Sequence, residues 1–391
     1  LSLRSSRSDK LVSQVSKILS SVRKDRDIAL IDYTKKFDDF DLVESGFSFS
    51  TNEIEGSENL ISKDEKLAIE MAADRIRFFH EQQMPRNTSW TDTIGVELGW
   101  SWRPIEKVGV YVPGGRASYP SSAVMNIIPA KVAGVKDLIL CTPTPSGHYN
   151  PMVLYAAKML GVRKIFRIGG AQAIAALAIG TDNIMKVDKV TGPGNSYVSE
   201  AKRQLVGEIG IDALAGPSEV VIISDDTLSP KLAAIDLLAQ AEHDEKAQSV
   251  LITSDREYAA EVEKEVFGFL QNLKRREIAS KSWKNYGAIV IVDSLKEGIN
   301  LSNKIAPEHL QLCFRDADKY LNHVFVAFLI ELLSHKGAFF QSFIFEIILF
   351  TPASNEIDGF HFISFLIFDM SAHVHSGSPG LFGKKVNSLL S

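Results

Sequence analysis

The sequence predicts an α/β protein of two incomplete Rossmann-like parallel-sheet domains, with N-terminal helices and an atypical Phe-rich C-terminal tail. Three observations carry this. From residue 105 short β-type runs alternate with helical stretches, the rhythm of parallel sheets covered on both faces. Glycine-rich turns follow successive strands: PGG after 108–112, GGAQ after 164–168 and GPGN after 189–191. Sheets of this kind gather ligands at the carboxyl ends of their strands. Finally, the composition breaks at about residue 322, beyond which lie twelve of the 22 Phe.

Each element has its own justification. Leu11, Val12, Val15, Ile18, Leu19 and Val22 recur at helical spacing within residues 9–35, and 64–83 reads as a second helix. The polar segment between them reads as a loop or short hairpin. VGVYV (108–112) is a strand followed by a helix within 121–134, and DLILC (137–141) a strand followed by a helix at 151–160. KIFRI (164–168) and KVT (189–191) continue the alternation. EVVII (219–223) leads into a helix with Ser229 as N-cap and Pro230 at its first position. SVLIT (249–253) and AIVIV (288–292) follow. The expected organisation is N-terminal helices and the start of a first α/β domain in 1–104, and a second Rossmann-like domain in 105–218, whose glycine-rich turns suit a nucleotide or another anionic ligand. Residues 219–321 then return to the first domain, and 322–391 form the tail. Residues before 105 are thus expected to share a core with 219–321.

Totals exclude several classes. With 391 residues there is length for two or three domains. Lys and Arg number 43 against 48 Asp and Glu, a net charge of −5, which argues against a nucleic-acid partner. The two cysteines, Cys141 and Cys313, sit in apolar runs, so neither a disulfide framework nor a Cys-rich zinc site is expected. A reducing cytoplasm is the natural reading, and any metal would have to be held by N and O ligands. No membrane is expected, because each apolar run of the tail falls short of the ~20 residues that span a bilayer. The chain begins at Leu1, which leaves an organellar targeting segment open, and LSLRSSRSDK lacks a secretory apolar stretch.

Chemistry concentrates in a few stretches. In IDLLAQAEHDEKAQSVLIT (235–253), Gln240 and His243 stand three apart and project from one face near a helix end. They fit a polar helix ending or a ligand pair. No GxGxxG occurs; GPGNSY (192–197) supplies two glycines and puts Tyr197 where the third would be. In LAGPSEV (214–220), Ser218 suits a cap or a ligand contact. In KIAPEHLQL (304–312), Pro307 breaks a helix. Glu308 and His309 then lie on a short connection before the strand Leu310–Phe314. They read as a general acid–base pair or as a solvated turn.

Together, YVPGG, GGAQAIAALAIGT, VDKVTGPGN, EAKR, LAGPSEV, LLAQAEHD and KIAPEHLQL stand in this order, and the chain resembles histidinol dehydrogenase from about residue 11 to about 321. The resemblance implies NAD-dependent oxidation of L-histidinol to L-histidine through L-histidinal, the last steps of histidine biosynthesis. It implies one zinc per site and a homodimer in which a C-terminal element of one subunit completes the other's site. Tyr111, Gln172 and Asn195 are the implied NAD contacts, and Ser218 touches the substrate. Gln240 and His243 are implied as zinc ligands that also touch the substrate. His309 is the implied general base in contact with the substrate, and Glu308 handles the water of the second step. The family's remaining zinc ligands, an Asp and a His in C-terminal motifs, have no counterpart here. After LNHV the sequence departs, and Asp358, Asp369, His373 and His375 match no family motif. Two other readings of the matched residues are an inactive remnant that retains nucleotide binding and a zinc-independent alcohol dehydrogenase relative. Zinc content and NADH formation from histidinol separate the three.

Overall fold

The computed structural model describes residues 8–114, 120–214, 219–273, 275–325, 327, 329–332 and 368–372, the last two segments as backbone only. The chain divides into two compact units, Leu1–Leu214 with Ile363–Ser391, and Ala215–Phe362.

The first unit opens with α1 (Asp9–Asp38), which bends at Arg26, where φ is 50°. Next come α2 (Leu42–Ser45), α3 (Thr51–Gly56), a 3₁₀ turn and α4 (Lys63–Glu81). The loop or hairpin expected between the two long helices is therefore short helices. Ser50 and Glu53 form a capping box at the start of α3, and Ser62 and Glu65 form another at α4. These S-x-x-E spacings were the signal. β1 (Thr88–Thr91) and β2 (Glu97–Pro104) pair antiparallel.

A five-stranded parallel sheet follows, built from β3 (Lys107–Tyr111), β4 (Asp137–Cys141), β5 (Lys164–Phe166), β6 (Lys189–Thr191) and β7 (Gly210–Ile211). Its connections are α5 (Pro120–Ala133), α6 (Pro151–Met159), α7 (Gly170–Ile179) and α8 (Ser196–Leu205), and its strand order is β5-β4-β3-β6-β7. The helix α7, GAQAIAALAI, is buried along nearly its whole length. A helix apolar all round needs cover on its outer face as well. Val15, Ile18, Val22 and Leu30 of α1 supply that cover, in one cluster with Ile174, Leu177 and Val198. This is why the segment before residue 105 belongs with 105–214, and not with 219–321 as the sequence reading placed it.

The second unit repeats the pattern with β8 (Glu219–Ser224), α9 (Pro230–Ala241), β9 (Gln248–Thr253), α10 (Arg256–Leu270), α11 (Arg276–Tyr286), β10 (Ala288–Ile291), α12 (Leu295–Ile305), β11 (His309–Cys313) and β12 (Leu329–Leu332). Ser229 caps α9 through the Leu232 N–H, with Pro230 first, as the sequence predicts. The order β10-β9-β8-β11-β12 repeats that of the first sheet, and all pairs are parallel. Alternation along β8 sends Val220 and Ile222 into one core with α9 and α10, and Val221 and Ile223 into another with Ile299 of α12. The tail contributes two strands: β12, beside β11, and β13 (Phe368–Ala372), antiparallel to β2. Among the described residues no helix is long and apolar enough to cross a membrane.

Candidate active site

In the first unit, Tyr111 ends β3, Gly170 and Gln172 open α7 after β5, and Gly192–Asn195 link β6 to α8. All lie at the carboxyl edge of the sheet. β3 and β6 are neighbours at the point where the strand order reverses, the crevice in which such sheets hold nucleotides. The three implied NAD contacts therefore come together on one edge. Tyr111 is 3% and Gln172 2% exposed. The Tyr111 hydroxyl accepts the Gly170 N–H at 3.1 Å. Burial, with a contribution from the Asp38 carboxylate, raises the tyrosine well above its ordinary pKa.

Asn195 is exposed and spends only Oδ1 on the helix, accepting the Tyr197 and Val198 N–H groups as the N-cap of α8. Two glycines let the chain press inward here. Gly192 has φ 114°, and a Cβ on it would stand 1.9 Å from the Tyr111 carbonyl oxygen. A Cβ on Gly194 would stand 2.4 Å from Val198. A helix N-terminus with small residues before it and an amide at its cap is a setting that fits an anionic dinucleotide.

In the second unit the candidates sit on the opposite edge. Register pairs His309 with Val220 and Glu219 with Gln248, so His309 stands at the start of β11. α9 runs back from the end of β8 and delivers Gln240 and His243 to the start of β9. The return is fixed by the His243 N–H to Gln240 carbonyl bond at 3.3 Å and an Asp244 turn closed by the Lys246 N–H at 2.7 Å. The candidate residues thus lie at the carboxyl ends of the strands in the first sheet and at the amino ends in the second. At the carboxyl end of β8 the Ser224 hydroxyl donates to the Cys313 carbonyl at 3.0 Å and lies 3.2 Å from the Tyr258 hydroxyl.

His309 opens β11 and is buried, while Glu308 lies on the short connection before it and is half-buried. Ala306 ends α12 in a left-handed conformation with φ 54°, Pro307 forbids continuation, and the chain passes directly into β11. His309 is 8% exposed, and its Nε2 lies 3.9 Å from Glu308 Oε1. Ser218 lies outside the described residues, as do Asp358, His373 and His375.

For zinc, the Gln240 amide gives a specific sign: its Nε2 is buried with no hydrogen-bond partner. Half a turn of the amide puts Oε1, a metal-binding atom, in that place. Gln240 and His243 make two neutral donors, however, where zinc takes three or four protein ligands. Among the described residues no group of three His, Cys, Asp or Glu could hold a metal. The described residues do not complete a zinc site.

Three features escaped the sequence reading. Asp38, which ends α1, bears on Tyr111, and its carboxyl is pushed up to about 6 by burial. Arg167 lies 3.9 Å over the Phe49 ring and pairs with Glu53 just before the GGAQ turn. Lys202 and Asp212 form a buried ion pair behind the GPGN turn. Only the EAKR motif, which contains Lys202, stood out in the sequence, and nothing in its spacing named a partner.

Two parallel five-stranded sheets with the same half-Rossmann order define a doubly wound α/β protein with a dinucleotide-type crevice. A family model for histidinol dehydrogenase matches residues 2–334. Histidinol dehydrogenase of Cereibacter sphaeroides is 50% identical over 304 residues, 78% of this chain and 70% of the relative. That of Rhodospirillum rubrum is 52% identical over 305 residues, again 78% and 70%. The crystal structure of histidinol dehydrogenase from Elizabethkingia anophelis superposes with a TM-score of 0.81 at 38% identity, covering 84% of this chain and 76% of the other. The chain belongs to the histidinol dehydrogenase family, a family of oxidoreductases.

Proposed function

We propose that this protein oxidises L-histidinol to L-histidine through L-histidinal in two NAD-dependent hydride transfers. The observation that carries the reading is the arrival of every described implied contact at one of two sheet edges: Tyr111, Gln172 and Asn195 on the first sheet, Gln240, His243, Glu308 and His309 on the second.

Tyr111, Gln172 and Asn195 would hold the dinucleotide, the Asn195 Nδ2 being the polar group that its capping role leaves for a ligand. Bound NAD supplies the hydride acceptor. His309 takes the alcohol proton as hydride departs; imidazole titrates near neutrality, where a base is both available and strong enough. The adjacent Glu308 carboxylate offsets the charge the imidazole gains and can orient the water that hydrates the aldehyde. Gln240 and His243 orient the substrate's amino and imidazole nitrogens and would serve as zinc ligands once further ligands join them. A homodimer in a reducing cytoplasm accords with the buried free thiols Cys141 and Cys313.

The test is NADH formation from purified protein, NAD and L-histidinol, with histidine quantified. Two NADH for each histidine is the expected result. NAD binding without turnover in zinc-supplemented buffer would favour the inactive-remnant reading.

A further inference from the structure

Both backbone polar groups of Gly192 are taken by one buried ion pair. Asp212 accepts the Gly192 N–H on Oδ2 at 2.7 Å, and its Oδ1 accepts from Lys202 Nζ at 2.7 Å. Lys202 Nζ also donates to the Gly192 carbonyl. The two side chains are 4% and 6% exposed. Asp212 is itself strapped to β6, its N–H donating to the Val190 carbonyl at 3.2 Å. Lys202 stands seven residues after the cap Asn195, two turns along the same face of α8, so it reaches back to the turn that starts its own helix.

A buried ion pair is weak evidence of stabilisation, because desolvating two charges costs about what their attraction returns. What this pair does is geometric. It closes a ring around Gly192 at φ 114°, in the turn pressed against the Tyr111 carbonyl. We propose that Lys202 and Asp212 are positioning residues that fix the Gly192–Asn195 turn in the form that receives the dinucleotide. The proposal rests on the reading that this edge takes NAD. Neither side chain touches the reacting atoms; both act through the turn, by holding the Asn195 amide and the first N–H groups of α8 at a fixed distance from Tyr111.

Removing one partner leaves a lone buried charge and endangers the fold. The test therefore uses the double variant Lys202→Met with Asp212→Asn, which is neutral and keeps an acceptor near the Gly192 N–H. Asp212→Glu with Lys202 intact is the conservative comparison. Lys158→Met removes a different lysine of the same unit, one paired to Glu55 and Glu58 at 2.9 and 2.7 Å, and controls for loss of stability alone. NAD affinity is measured by titration, with the melting temperature and the amide hydrogen exchange of Gly192–Asn195 recorded on the same samples. The double variant should melt cooperatively, bind NAD about tenfold or more weakly and exchange faster at the turn, while Lys158→Met keeps wild-type affinity. In catalysis KM for NAD should rise with little change in kcat, and Asp212→Glu should recover part of the affinity. A folded double variant with wild-type NAD affinity overturns the inference and leaves the proposed function standing. A wild-type protein with no NAD affinity overturns both.

Discussion

The Gly170 N–H donates to the Tyr111 hydroxyl at 3.1 Å, joining the end of β3 to the first turn of α7 across the edge where the nucleotide contacts gather. Tyr111→Phe deletes only that acceptor and leaves an amide at the head of α7 unpaired. Loss of one partly buried hydrogen bond costs about 1 kcal/mol. Denaturant unfolding should show a loss of that size, and NAD titration a weaker complex.

Two glycines with positive φ separate conformation from space. Gly192 and Gly207 have φ 114° and 94°, but a Cβ at Gly192 meets the Tyr111 carbonyl oxygen at 1.9 Å, whereas Gly207 faces open space. Gly207→Ala should cost about 1 kcal/mol, the left-handed penalty alone. Gly192→Ala should cost about 3 kcal/mol or more, because backbone must also move. Equal losses in paired unfolding curves would remove the close approach as the reason for Gly192.

Asp38 gives a pH signature. Burial raises its carboxyl from 3.8 to about 6, so the folded state binds its proton more tightly than the unfolded chain. The stability this contributes is complete below the unfolded value and is lost as pH rises through about 6. Asp38→Asn should therefore flatten the fall in stability over that window and gain about 1–2 kcal/mol at neutral pH, the full shift being discounted for partial exposure. A variant whose pH–stability curve parallels the parent's would show that the group is not buried in this way.

His309→Asn keeps the size of the side chain and removes the base. Turnover of histidinol should fall by about 10²–10⁴-fold, the usual share of general base catalysis, with NAD affinity unchanged. If the 391-residue chain is silent on its own, the comparison is made after joining it to a family-type C-terminal segment. Steady-state rates equal to those of the parent would exclude His309 from the role.

Zinc retention is the fifth measurable property. With Gln240 and His243 as the only donors the family pattern finds here, metal analysis after dialysis should give well under one zinc per chain. One tightly held zinc would mean that ligands come from elsewhere in the protein.

The strand–helix rhythm and most element ends were legible because a parallel sheet buries both faces and writes itself as short apolar runs; β4 and β6 match their sequence ranges, and Ser229 caps as expected. Placement of α1 was not legible. Its apolar stripe says that it must be buried, but only the all-apolar α7 says against what. The Glu308–His309 pair was found as a motif, but a hydrophilic pair after a proline reads equally as an acid–base pair or as a solvated turn. Burial of His309 comes from the place of β11 between β8 and β12. The Lys202–Asp212 pair depends on β6 and β7 being neighbours, which no local pattern encodes.

The candidate residues of the two sheets lie at opposite strand ends, and the helices therefore present opposite poles to them. In the first unit the candidate residues sit where α7 and α8 begin, at helix ends carrying partial positive charge. In the second they sit where α9 and α12 finish, at ends carrying partial negative charge. A pyrophosphate is drawn to the first kind of edge and repelled by the second; a protonated amino alcohol, or a metal cation, behaves the other way round. Backbone direction thus favours, at each edge, the charge of the reactant proposed for it.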